Sequence, residues 1–263
     1  MDEGGTESSG SGRAAPMLEA RGLVREFSGL AAVDGIDIAL PAGGFLAVFG
    51  PNGAGKTSLL RLLSGALRPT RGEVRIAGER LEPGNLSVRA RIGVLSHQTF
   101  LYGHLTAREN LRLYATLYGL TGHVEGLVAE RLREVGLLER ANDRVRTYSR
   151  GMRQRLGLAR TLLHDPDVVL LDEPYTGLDA HASAVLRRVL AALRDGSRTV
   201  VLVTHNLTQG LELADRAAVQ VRGRFAWEGP ADAVPALDFE SFYRETVERI
   251  EAAGAFEASA GAP

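Results

Sequence analysis

Residues Gly50-Pro51-Asn52-Gly53-Ala54-Gly55-Lys56-Thr57-Ser58 fit the pattern G-x-x-x-x-G-K-[ST]. Such a loop binds phosphate oxygens with its own backbone N–H groups, which is why glycines recur in it, and the dipole of the helix that follows favours the anion. Lys56 supplies a compact charge for the β- and γ-phosphates, and the Thr57 hydroxyl is a ligand for Mg2+. Of the 31 basic residues in the chain, 30 are arginine and one is lysine, and that lysine is Lys56. An ordinary glycine turn gives no reason for this placement, whereas the planar fork of arginine would not fit a phosphate loop.

Val168-Val169-Leu170-Leu171-Asp172-Glu173 is an apolar run that ends in two carboxylates. At the end of a buried strand Asp172 can reach Mg2+, and Glu173 can orient or deprotonate an attacking water. Either carboxylate alone could start a helix, but the pair follows a phosphate loop in the order that nucleotide hydrolysis needs. Between loop and pair, Ser149 precedes the helical pattern MRQRLGLARTLL, where a serine caps an N-terminus.

These residues, with Ser149-Arg150-Gly151-Met152-Arg153-Gln154 between them, resemble the ATP-binding-cassette (ABC) ATPases, over about residues 17–235. The resemblance implies that the signature at Ser149, Arg150 and Gly151 reaches across a dimer to the γ-phosphate held by the other subunit. The family pattern Leu-Ser-Gly-Gly-Gln is altered here by Tyr148, Arg150 and Met152, a variant similar to exporter-type members. By the same resemblance, Gln98 is the Q-loop glutamine near Mg2+ and the attacking water, and His205 is the switch histidine at the γ-phosphate. Gly177-Leu178-Asp179 matches the D-loop at the dimer interface, and Phe27 the aromatic that stacks on adenine. The other five histidines carry no such context and read as surface or packing residues.

The implied assembly is a homodimer, or a pair with a second ATPase subunit, that encloses two Mg-ATP and works on separate transmembrane permease subunits. This places the chain at the cytoplasmic face of the cell membrane as a peripheral subunit. The segment between Gln98 and Ser149 is where the family docks the membrane partner, which makes Phe100, Leu101, Tyr102 and Leu105 candidate apolar contacts. SHQTFLYGHLTARENLRLYATLYGL looks like haem-exporter ATPases of cytochrome c maturation, the expected subfamily, and is also similar to exporters of drugs, polysaccharides or lipids. ABC ATPases of ribosomes or DNA repair fuse two cassettes or insert long coiled coils. One phosphate loop and roughly 50 residues between Gln98 and Ser149 leave no room for such an arm. A monomeric P-loop kinase would have no use for the signature.

The elements that must hold these residues are legible in the pattern. LEARGLVREF, VDGIDIAL and GGFLAVF read as strands, TSLLRLLSGAL as the helix after the loop, then EVRIAG and RIGVLS as strands. Continuous apolar strands at VVLLD and TVVLVTH call for a parallel sheet buried on both faces, and the alternating runs near the N-terminus for an antiparallel one. With the resemblance, the fold class is α/β: a P-loop NTPase with a RecA-type parallel-sheet core, an N-terminal antiparallel β-subdomain and an inserted helical subdomain. The expected organisation is a flexible tail at 1–16, the ATP-binding domain at 17–236 with its helical part at about 99–163, and an amphipathic helix and frayed tail at 237–263. The short C-terminal remainder predicts a subunit without a regulatory domain.

The 263 residues are 44% hydrophobic, enough for a real core, and the net charge of -1 argues against a nucleic-acid binder held by bulk phosphate attraction. The absence of cysteine excludes disulfides, thiolate zinc and iron–sulfur sites and a cysteine nucleophile. The glycine- and serine-rich start has no signal-peptide core, and no run approaches the length of a membrane span.

Overall fold

The computed structural model describes residues 15–233 and 236–260. The tail predicted at 1–16 therefore lies, up to residue 14, outside the described residues.

Two sheets form the frame. β1 (Leu18–Phe27), β2 (Leu30–Leu40), β4 (Arg71–Ile76) and β5 (Glu79–Arg80) make an antiparallel sheet in the order β2-β1-β4-β5. Its strands carry the alternating pattern expected of a sheet with one covered face: Ile36, Ile38 and Leu40 are buried, while Asp37 and Ala39 are not. The second sheet takes β3 (Phe45–Phe49), β6 (Ile92–Leu95), β7 (Val168–Asp172), β8 (Thr199–Val203), β9 (Arg216–Val221) and β10 (Arg224–Pro230) in the order β10-β9-β3-β8-β7-β6. All its pairings are parallel except that of β10 with β9.

β3, β7 and β8 are buried at every position, because both faces of this sheet are covered. Alternate residues separate two cores. Phe45, Ala47, Phe49, Val169 and Leu171 face one core with most of the helices. Leu46, Val48, Val168, Leu170, Val201 and Val203 face the other, which α1 (Lys56–Leu63) shares with the antiparallel sheet.

The inserted helical region holds α3 (Ala107–Leu117), α4 (Val124–Glu134) and α5 (Arg150–Thr161), after a short α2 (Leu86–Arg89) between the sheets. α3 begins at a reciprocal cap: Thr106 Oγ1 accepts from Glu109 N–H at 3.1 Å, and the Glu109 carboxylate accepts from Thr106 N–H at 2.8 Å. Gly119 and Gly122, both at positive φ, separate α3 from α4. α6 (Ala180–Ala192) follows β7, and α7 (Leu207–Leu213) follows β8.

The C-terminal helix α8 runs Ala236–Ala260. Its Phe239, Tyr243, Val247 and Ile250 pack on the first core, as the spacing predicts. It also continues where the pattern predicts fraying after residue 254: Ala and Glu sustain helical backbone through Ala260 without an apolar stripe to mark it. Residues 261–263 lie outside the described residues.

One core position is chemically out of place. Gln220 on β9 is fully buried, and neither end of its side-chain amide has a hydrogen-bond partner among the described residues. An unmet buried amide costs about 1 kcal/mol or more. Gln220→Met, which keeps the length and removes the polar atoms, should raise the melting temperature by roughly 3 °C for a chain of this size, read by circular dichroism.

Candidate active site

The phosphate loop is the turn between β3 and α1. Gly53 and Gly55 take φ of 81° and 99°, a region that glycine enters without strain. Gly55 has no alternative, since a Cβ there would lie 1.9 Å from the Ala32 carbonyl oxygen. Gly50 is similarly confined, since a Cβ there would lie 2.2 Å from the Gln220 carbonyl oxygen. No side chain caps the N-terminus of α1 and no acidic residue occupies its first turn, so its leading N–H groups face an anion site without an internal competitor.

Lys56 is buried, and its Nζ donates to the Gly50 and Pro51 carbonyls at 2.7 and 2.9 Å. Burial lowers its pKa from the ordinary lysine value, while Glu173 and Asp172 pull it back up. Thr57 Oγ1 donates to the Asp172 carboxylate, with distances of 3.2 and 3.4 Å to its two oxygens. Burial pushes the Asp172 carboxyl above the usual carboxylate range, opposed by the Thr57 hydrogen bond. A hydroxyl and a desolvated carboxylate side by side are hard oxygen donors of the kind Mg2+ takes, so the residues present fit a Mg-nucleotide.

Glu173 holds a non-glycine φ of 50°, a strained backbone next to the end of β7. Its N–H donates to the Val203 carbonyl at 2.9 Å, and its Oε2 lies 2.7 Å from His205 Nδ1. A carboxylate only accepts, so this bond assigns the proton to Nδ1. His205 is placed by the turn into α7, where Asn206 caps the helix through Gln209 N–H at 3.0 Å.

A cleft of about 570 Å³ joins Gly50, Pro51, Asn52, Arg150, Glu173 and His205. An adjoining cavity of about 410 Å³ joins Thr57, Gln98 and Asp172. Both lie at the carboxyl ends of β3, β6, β7 and β8, the edge at which open parallel sheets bind ligands. Ala54 is buried within the loop, and Ser58 follows Thr57 on α1.

Apart from residues of the phosphate loop and the start of α1, four expected residues lie outside both cavities of their own chain. Phe27 ends β1, is 44% exposed, and carries the Arg25 guanidinium 4.6 Å from its ring centroid. Ser149 caps α5, accepting from Met152 N–H at 3.2 Å. Gly151 abuts α6, where a Cβ would come within 2.6 Å of Ala182 Cβ, and Asp179 caps α6 through Ala182 N–H at 2.7 Å. Arg150 covers Gly177, so signature and D-loop form one surface.

The sequence reading missed three participants. His97, assigned to surface or packing, is exposed but lines both cavities. Its place directly before Gln98 was the available signal. Arg160, one of many arginines, is buried and holds the segment after Gln98: its guanidinium donates to the Val94 carbonyl at 2.8 Å and stacks on Phe100 at 5.8 Å and Tyr114 at 5.2 Å. Tyr114 Oη in turn donates to the Phe100 carbonyl at 2.5 Å. Tyr243, from the far end of the chain, also lines the larger cleft.

Comparison with known proteins bears on this geometry. A family profile described as ABC transporter matches residues 33–176. The chain is 39% identical over 216 residues to a daunorubicin resistance ATP-binding protein of Streptomyces coeruleorubidus, covering 82% of this chain and 68% of that one. It is 35% identical over 222 residues to the Nod factor export ATP-binding protein I of Rhizobium johnstonii, covering 83% and 71%. Among solved structures, the dimeric post-hydrolysis state of an ATP-binding cassette bound to ADP and phosphate superposes with a TM-score of 0.75 at 25% identity, over 83% of this chain and all of that one.

Gly55→Ala should reduce ATP affinity by about 100-fold or more, because both the φ and the 1.9 Å approach forbid the Cβ and the loop must open. Equilibrium binding of a fluorescent ATP analogue checks this.

Proposed function

Because the chain belongs to the ABC transporter family, we propose that it is the ATP-hydrolysing subunit of an exporter, with Glu173 as the residue that activates water. It binds and hydrolyses ATP with Mg2+, dimerises, and works with transmembrane permease subunits. The observation that carries the assignment of Glu173 is the contact of its carboxylate with His205 at the mouth of the phosphate cleft.

In this reading the loop N–H groups and Lys56 hold the phosphates, and Thr57, Asp172 and Gln98 hold the metal. When bound, Mg2+ offsets charge developing on the transferred phosphoryl group. Glu173 accepts the proton of the attacking water, and His205, through its Nδ1–H bond, keeps that carboxylate aimed. Phe27 stacks on the base of the nucleotide. Ser149, Arg150, Gly151 and Asp179 serve the nucleotide held by the partner cassette, which agrees with three of them lying outside their own cleft.

The relatives named for daunorubicin resistance and Nod factor export support export of a small organic molecule, and this replaces the haem-exporter expectation. No helix among the described residues is long and apolar enough to cross a membrane. Attachment at the cytoplasmic face then depends on the permease. Phe100 and Tyr102, 59% and 54% exposed, are the docking contacts, while Leu101 packs on the core and Leu105 is half-buried.

Glu173→Gln should bind ATP yet hydrolyse it at least 100-fold more slowly, and should accumulate as an ATP-bound dimer in light scattering. A variant that stays monomeric with saturating Mg-ATP, or keeps its turnover, contradicts the role. Recovery of this variant from native membranes, with mass spectrometry of what accompanies it, identifies the permease. Ser149→Arg should lower turnover more than it lowers ATP binding by the isolated subunit, since its ligand belongs to the partner; equal losses would show that Ser149 acts within its own chain.

A further inference from the structure

The C-terminal helix reaches the nucleotide cleft, and aromatic packing determines where it arrives. Phe239 is fully buried with its ring edge-on to Phe49 at 5.3 Å. Trp227 and Phe242 complete the cluster, with Trp227 lying 6.0 Å from Phe239 and 5.3 Å from Phe242. Phe49 is the last residue of β3 and adjoins Gly50, so the helix is anchored directly beneath the start of the phosphate loop.

Tyr243 stands four residues after Phe239, one turn along the same helix face. Anchoring Phe239 at the end of β3 therefore carries Tyr243 past that end, where it lines the cleft with Pro51, Asn52, Glu173 and His205. The other side of Phe49 meets α7, the helix that follows His205: a Cβ on Gly210 would come within 2.5 Å of the Phe49 ring. One phenylalanine thus joins the loop strand, the helix behind His205 and α8.

We propose that α8 is a working part of the ATP site, with the Tyr243 ring forming the cleft wall beside Pro51 and Asn52 and keeping His205 in place against Glu173. Tyr243 is a positioning residue in this scheme, and the inference rests on the ATPase reading above. The ring supplies the wall, so the hydroxyl is dispensable.

Steady-state ATP hydrolysis by the full chain separates the possibilities. Tyr243→Ala should lower kcat about tenfold with KM for Mg-ATP changed less than about threefold, and Tyr243→Phe should restore kcat to within about twofold of wild type. The half-buried position keeps the fold intact in both, which melting temperatures within a few degrees of wild type would verify. Wild-type kcat in Tyr243→Ala, or an equal loss in both variants, overturns the proposal. A second measurement does not depend on turnover: in Tyr243→Trp, Mg-ATP should change the emission beyond the change seen with wild-type Trp227. An unchanged difference spectrum, while a fluorescent ATP analogue still binds, places residue 243 away from the nucleotide and also overturns it. A wild-type chain without ATP turnover would instead remove the ATPase reading on which the proposal stands.

Discussion

A loop that binds an anion with its own N–H groups cannot also use those groups to hold itself, so its shape is imposed from outside. Here the bracing is backbone against backbone. Gly55 is seated on the Ala32 carbonyl of β2, and Gly50 on the Gln220 carbonyl of β9. The Gly223 N–H donates to Ala54 O at 2.9 Å, and Asp34 N–H donates to Gly223 O at 2.9 Å, so the turn between β9 and β10 joins the loop to the antiparallel sheet. Lys56 closes the arrangement from within by its bonds to Gly50 and Pro51. The antiparallel sheet is therefore a brace for the phosphate loop as well as a place for Phe27.

The parallel sheet supplies the remaining geometry. Its strands are apolar on both faces, so their ends are the first positions at which polar side chains can stand without a burial cost, and the carboxyl ends of β3, β6, β7 and β8 all open at one edge. Asp172 tests that limit. It is the last residue of β7 and still buried, and burial raises its carboxyl pKa despite the Thr57 hydroxyl. Glu173, one residue on, turns out of the strand at positive φ and meets His205. One backbone reversal separates a carboxylate suited to a cation from one suited to a water.

Where chemistry and periodicity coincide, the sequence was sufficient. The strand, glycine loop and helix around Lys56, the carboxylate pair at the end of β7, the cap at Ser149 and both kinds of sheet follow from residue type and spacing. Contacts between distant segments were illegible for a physical reason: a ring that packs under a loop from the opposite end of the chain leaves no local pattern, as with Phe239 on Phe49. Arg160 was hidden because 30 arginines share its type, and only burial between Phe100 and Tyr114 distinguishes it. His97 was set aside for want of a motif, although it adjoins Gln98. The C-terminal helix was seen as amphipathic, but neither its length nor its arrival at the cleft is encoded in its own apolar stripe.

The helix α5 connects what these pieces do. Its first turn is capped by Ser149 at the surface shared with the D-loop, and near its last turn Arg160 holds Phe100 and the Val94 carbonyl beside Gln98. The two ends are eleven residues apart, about 16 Å along one helix. Most of the residues between are buried, so one packed element of the core carries both the cap at Ser149 and the side chain that meets Phe100.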